Sequence, residues 1–207
     1  MTRGHFITLE GIEGAGKSTV AAHLSAHLQA RGVVVHATRE PGGTPLAERI
    51  RALVLDRGDE HIAPEAEVLL MFAARRLHVD NLIRPALERG EWVLCDRFTD
   101  ATRAYQGAGR GVAPALIDLL AQAVHADFEP DLTLYLDVPV ALGLSRAAAR
   151  RGTTDRFEAE GVAFFERVRN RYLEIAREAR VVHIDATRPL AAVVSAAVEA
   201  VESRWPA

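Results

Sequence analysis

The chain has 207 residues, 49% of them hydrophobic and 26% charged, with a net charge of −3. That length suits a single domain over 1–207 with a substantial core. The slight acidic surplus argues against a nucleic-acid or membrane-surface binder, because phosphate-backbone affinity needs a basic surplus. A lone cysteine, Cys95, excludes an internal disulfide framework and suits a reducing compartment.

Met1 to His5 runs into a strand pattern with no signal-peptide character, and no apolar stretch is long enough to span a bilayer. The expected location is therefore cytoplasmic. Phe6-Ile7-Thr8-Leu9 reads as a buried parallel strand that ends at Gly11-Ile12-Glu13-Gly14-Ala15-Gly16-Lys17-Ser18. That segment fits G-x-x-x-x-G-K-[ST], the phosphate-binding loop. Its glycines let backbone N–H groups curl around phosphates at a helix N-terminus. Lys17, the one lysine of the chain, supplies a compact point charge for phosphate oxygens, and Ser18 a hydroxyl for Mg²⁺.

Val20, Leu24 and Leu28 mark one face of the helix that follows, and Gly32 its end. Val33-Val34-Val35 reads as the second strand, leading to the loop Arg39-Glu40-Pro41-Gly42-Gly43-Thr44. Leu46, Ile50, Leu53 and Val54 outline a second helix. A long helical stretch runs from about Pro64 to Arg89, with a kink or break expected at Pro85. Trp92 to Cys95 is a third strand with Asp96-Arg97 at its end. Gly107 to Gly111 read as a loop and Ala115 to Val124 as a helix.

Leu132 to Leu136 is a fourth strand, ending at Asp137. Helices flank an arginine-rich segment, where Asp155 and Glu158 have capping-box spacing. Val181 to Ile184 is a fifth strand and Leu190 to Val201 a closing helix. Alternating strands and helices imply an α/β fold with a five-stranded, mainly parallel sheet covered on both faces. Ligands in such folds bind beyond the carboxyl ends of the strands, where Glu10, Arg39, Asp96 and Asp137 fall.

A phosphate-binding loop alone leaves motor, switch and kinase open. No apolar strand ends in Asp-Glu, and a chain with one lysine that is already in the loop has no Asn-Lys-x-Asp guanine reader. Asp96-Arg97 and the cluster Arg146, Arg150, Arg151 and Arg156 instead suit phosphoryl transfer between two phosphorylated partners, which needs charge neutralised and phosphates held in line. No dedicated base is evident. A phosphate monoester, with a second pKa of about 6, is already a competent nucleophile near pH 7. The acceptor expected is thus a nucleoside monophosphate, and the arginine cluster, about 146–157, a mobile lid.

The P-loop after a strand, Arg39 to Thr44, Asp96-Arg97-Phe98, Ala104-Tyr105-Gln106-Gly107 with Gly109-Arg110-Gly111, and Pro130 to Asp137 together resemble bacterial thymidylate kinases. The similarity covers nearly the whole chain. It implies the P-loop kinase fold, transfer of the γ-phosphate of ATP to dTMP with Mg²⁺, and a homodimer. By the family pattern, Gly11 to Ser18 with Thr19 hold ATP, and Ser18 and Asp96 serve the metal. Glu13 faces the deoxyribose 3′-hydroxyl, Arg97 grips the dTMP phosphate and Arg39 assists it, and Tyr105 packs on the sugar. An aromatic stacks on thymine and an arginine one turn later reads the base. Phe72 with Arg76 and Met71 with Arg75 both fit; Phe72 and Arg75 are preferred. Ala101 replaces a common serine, so base contact leans on Thr102 and Gln106. The P-loop lacks the arginine of some members, so the catalytic arginine comes from the lid, with Arg151 first and Arg146 and Arg150 beside it. The competing readings are a kinase for another nucleoside monophosphate or deoxynucleoside, and a P-loop switch.

Overall fold

A computed structural model describes residues 3–56, 58, 62–126, 128–149, 157 and 160–206. Five strands, β1 (Phe6–Glu10), β2 (Val35–Arg39), β3 (Trp92–Asp96), β4 (Leu132–Asp137) and β5 (Val181–Asp185), form one sheet in the order β2-β3-β1-β4-β5. Every pairing is parallel. The expected mainly parallel sheet is thus wholly parallel among these strands.

All five residues of β1 are buried, as an apolar strand covered on both faces requires. Its alternate residues enter different clusters. Phe6 joins Val93, Cys95 and Phe98 on one face. Ile7 and Leu9 join Leu94, Leu134 and Val20 on the other. A third cluster joins Val68 and Phe72 to Ile117 and Ala121. It lies between α3 (Pro64–His78) and α6 (Pro114–Val124).

The remaining helices are α1 (Lys17–Ala30), α2 (Pro45–Leu55), α4 (Arg84–Glu88), α5 (Thr99–Thr102), α7 (Val140–Ala148), α8 (Val162–Ile175) and α9 (Leu190–Glu202). Three sequence expectations shift. β2 starts at Val35, not Val33, and Val34 is exposed. The stretch through Pro85 does not break: Val79–Ile83 widens into a π-helical turn, with Arg84 N–H bonding Val79 O. Pro85 has no N–H to donate, and the wider turn accommodates the lost bond. Arg103–Gly109, read in part as a loop, is a second π-helical segment. It turns Tyr105 and Gln106 into the interior, where both are buried.

Candidate active site

β1 and β3 are neighbours, so the loops beyond their carboxyl ends open into one cleft. The cavity there measures about 230 Å³. Its wall includes P-loop residues Glu13, Gly14 and Gly16 to Thr19, strand-end residues Arg39, Asp96 and Arg97, and helix residues Met71, Arg75, Thr102, Tyr105 and Gln106. The P-loop turns tightly because Gly14 touches α7: a Cβ there would lie 2.0 Å from Gly143 O, at a φ of +73°. Ile12 and Ala15 bury their side chains, so these two present only backbone to a ligand.

Lys17 closes the loop. Its Nζ donates to Gly11 O and Ile12 O, both at 3.0 Å. Burial, and then the nearby Arg97 charge, push its ammonium down to about 8. An anion in the cleft would oppose both effects. Ser18 Oγ donates to Asp96 Oδ2 at 3.0 Å, while buried Asp96 Oδ1 has no hydrogen-bond partner among the described residues. A hydroxyl beside a carboxylate with a spare oxygen is a donor set that fits Mg²⁺. That ion takes one or two protein oxygens and completes its octahedron with water and phosphate.

Arg97 lines the same cavity as Lys17. It holds a left-handed φ of +74° at the β3 end, so its side chain turns back over the P-loop. Its Nη2 donates to Glu13 Oε1 at 2.8 Å and Tyr105 Oη at 3.0 Å, and its Nη1 reaches Tyr172 Oη at 3.4 Å. Tyr105 also donates to Glu13 Oε2 at 2.6 Å, and the guanidinium lies 4.5 Å over the Tyr105 ring. Glu13 is therefore no repulsive carboxylate loose in a phosphate loop; it balances Arg97 and orients both partners.

The deep end is organised by Arg75. Its Nε donates to Glu40 Oε2 at 2.6 Å and its Nη2 to Thr102 Oγ1 at 3.1 Å, and Nη1 has no partner among the described residues. The guanidinium lies over the rings of Phe72, at 4.7 Å, and Phe98, at 5.0 Å. Burial pushes the Glu40 carboxyl up, but the Arg75 charge and His78 outweigh it, and its pKa lies below the usual range. Glu40 precedes a cis bond to Pro41, which also lines the cavity.

Several sequence expectations meet the structure here. The structure corrects Phe72: it sits in the cluster between α3 and α6, and Met71 takes the wall position. One residue on a helix turns a side chain by about 100°, so the two cannot share a face. Arg75 lines the cavity, whereas Arg76 pairs with Asp80 at 2.6 Å outside it. Arg39 is exposed on the rim, paired with Glu48 at 3.0 Å. Gln106 lines the cavity while donating to buried Glu67 at 2.7 Å. Arg146 is corrected too. It belongs to α7, donates to Ala186 O at 2.9 Å and is not on the cavity wall. Arg150, Arg151, Arg156 and the expected Asp155–Glu158 cap lie outside the described residues.

Sequence reasoning assigned no role to Glu40, Glu67, His78 or Tyr172. The signal for one was visible: Arg75 and His78 are three apart on a helix and share a face. Tyr172 has no such signal, since α8 reaches Glu10 and Arg97 only through the fold.

A parallel α/β sheet with a P-loop at β1, a lysine on its carbonyls and a facing strand-end arginine defines a P-loop protein of the kinase fold. The thymidylate kinase family model matches residues 9–197. Relatives named thymidylate kinase include one from Alkalilimnicola ehrlichii, 54% identical over 99% of this chain and 97% of its own. Another, from Pseudomonas savastanoi pv. phaseolicola, is 60% identical over 92% and 91%, and one from Nitrosomonas europaea 54% over 99% and 95%. The chain belongs to the thymidylate kinase family.

Proposed function

We propose that this protein transfers the γ-phosphate of ATP to dTMP, giving dTDP and ADP, as a single-domain, Mg²⁺-dependent, cytoplasmic homodimer. The observation that carries the reading is the convergence on one cavity of Lys17, at the start of α1, and Arg97, just past β3, with Ser18 bonded to Asp96 on the same wall. Two fixed cations suit two phosphorylated substrates.

The P-loop amides and Lys17 bind the donor phosphates at the start of α1. Ser18 and Asp96 would hold Mg²⁺, which when bound would supply neutralising charge to the phosphate oxygens. Arg97 holds the acceptor phosphate, and Arg39 adds charge at the rim. Glu13 and Tyr105 bracket the sugar. The tyrosine ring fills space that a ribose 2′-hydroxyl would need. Met71 covers the base, with Thr102 and Gln106 beside it. Arg75 can only donate, so its unpartnered Nη1 favours a base edge bearing a carbonyl over one bearing an amine. The acceptor phosphate attacks without a dedicated base, since it is largely dianionic near pH 7. Arg150 and Arg151 are proposed to bring lid charge to the transferred group. For the homodimer, the support is three leucines, Leu53 of α2, Leu69 of α3 and Leu119 of α6, each more than half exposed on helices of which α3 packs on the other two. A second copy would remove such apolar groups from water.

A coupled ADP assay against dTMP, dUMP, dCMP, dGMP and thymidine tests the reading. Turnover strictly dependent on acceptor and highest with dTMP is expected. Thymidine or dGMP outrunning dTMP would overturn the substrate, and acceptor-independent ATP hydrolysis would indicate a switch.

A further inference from the structure

His78 is fully buried at the end of α3, and nothing in the transfer chemistry requires a histidine there. Its ring nonetheless makes two hydrogen bonds. Nδ1 lies 3.0 Å from Glu40 Oε1, and Nε2 2.8 Å from Thr38 Oγ1 on β2. Ionised Glu40 can only accept, so Nδ1 carries a proton.

The consequence lies on the other side of Glu40. With Oε1 occupied by His78, Oε2 is left for Arg75 Nε at 2.6 Å. Both side chains of this pair are almost wholly inaccessible, at 3% and 2%. Arg75, on the cavity wall, then has Nη2 on Thr102 and Nη1 unpartnered among the described residues. The loop backbone also rests on the same ring. A Cβ at Gly43 would lie 2.4 Å from His78 Nε2 and 2.6 Å from Thr38 Oγ1. That loop carries Glu40 and Pro41, so its seat and the aim of Arg75 share one support.

The geometry points to His78 as a positioning residue for acceptor specificity: through Glu40 it fixes the rotamer of Arg75 and so the discrimination between carbonyl- and amine-bearing pyrimidines. This rests on the dTMP kinase reading above. His78 touches neither substrate. It acts by denying Glu40 a second arrangement, in which the carboxylate would swing and take both guanidinium edges.

Two replacements separate this role from simple packing. In His78→Asn the amide nitrogen occupies the place of Nδ1 and can still donate to Glu40. In His78→Gln the amide reaches the place of Nε2, toward Thr38, and the Glu40 bond is lost. Wild-type, Asn and Gln proteins are assayed with dTMP and dCMP at saturating ATP, with KM for ATP and thermal unfolding measured beside them. Expected for His78→Gln is a rise of about tenfold in KM for dTMP and a similar fall in dTMP-over-dCMP preference, with kcat and KM for ATP little changed. His78→Asn should keep the preference within about threefold of wild type. If both variants lose the preference equally, or neither does while the wild type uses dTMP, the positioning role is wrong. A wild-type enzyme that fails to use dTMP overturns the underlying reading instead.

Discussion

Replacing Arg97 with alanine tests the division of labour between the two cations. The side chain is only 18% exposed and makes hydrogen bonds to Glu13 and Tyr105. Two charge-assisted contacts to a phosphate dianion are worth about 1.5–3 kcal/mol each in a partly desolvated site. Competition from Glu13 and the open mouth of the cleft reduces the sum to ~2–4 kcal/mol, or a loss of about 30- to 1,000-fold in kcat/KM for dTMP. Lys17 and the P-loop amides are untouched, so KM for ATP should stay within about threefold. Arg97 also has a φ of +74°, which alanine resists and glycine does not. Arg97→Gly should therefore unfold later than Arg97→Ala by about 1 kcal/mol while showing the same dTMP defect. Steady-state assays varying each substrate in turn, with urea unfolding of both variants, give all four numbers. Equal weakening of ATP and dTMP would refute the reasoning and make Arg97 a structural residue. So would a dTMP defect that followed stability.

Further outcomes concern burial, pH and assembly. Phe72→Ala should cost about 3–5 kcal/mol of stability by urea unfolding, because it empties a packed core site. Met71→Ala should instead act mainly on KM for dTMP, and a reversed pattern would return Phe72 to the cavity. Burial, and then the Asp100 charge, push the Glu10 carboxyl up to about 8. Its proton is held more tightly folded than unfolded, so its contribution is complete below about 4.5 and lost as pH rises through about 8. Glu10→Gln, which keeps a neutral group beside Tyr172 and Phe98 N, should flatten the decline in thermal stability between pH 5 and 8; an unchanged slope would show that Glu10 is ionised throughout. Lys17 is shifted the other way, but its effect on ligand also fades as pH rises: its charge is lost above about 8, so ATP affinity measured by calorimetry should weaken from pH 7.5 to 9. Finally, Leu69→Glu should convert the proposed homodimer to a monomer in sedimentation; an unaffected dimer would place the interface elsewhere, and a monomeric wild type would overturn the dimer proposal.

The P-loop and the strand ends were legible because their geometry is local. Gly11 to Ser18 turns within eight residues, and Asp96-Arg97 follows directly from an apolar run that must be a buried strand. The alternation of strands and helices likewise led to the parallel sheet, since parallel neighbours need helical crossovers. Choices of one residue were not legible. Met71 and Phe72 are both apolar, and only the packing of α3 on α6 decides which is core and which is wall. The π-helical turns at 79–83 and 103–109 follow from accommodation of Pro85 and from the inward placement of Tyr105, and helical periodicity does not reveal either. What the amino-acid sequence determined by itself is a phosphate-binding strand–loop–helix with an arginine at the neighbouring strand end. The tertiary structure alone decided which polar groups meet: Glu13 with Arg97, Glu40 with Arg75 and His78, and Tyr172 with Glu10. Those partners lie far apart in the chain, and ion-pair geometry depends on the sheet order and on rotamers that burial selects.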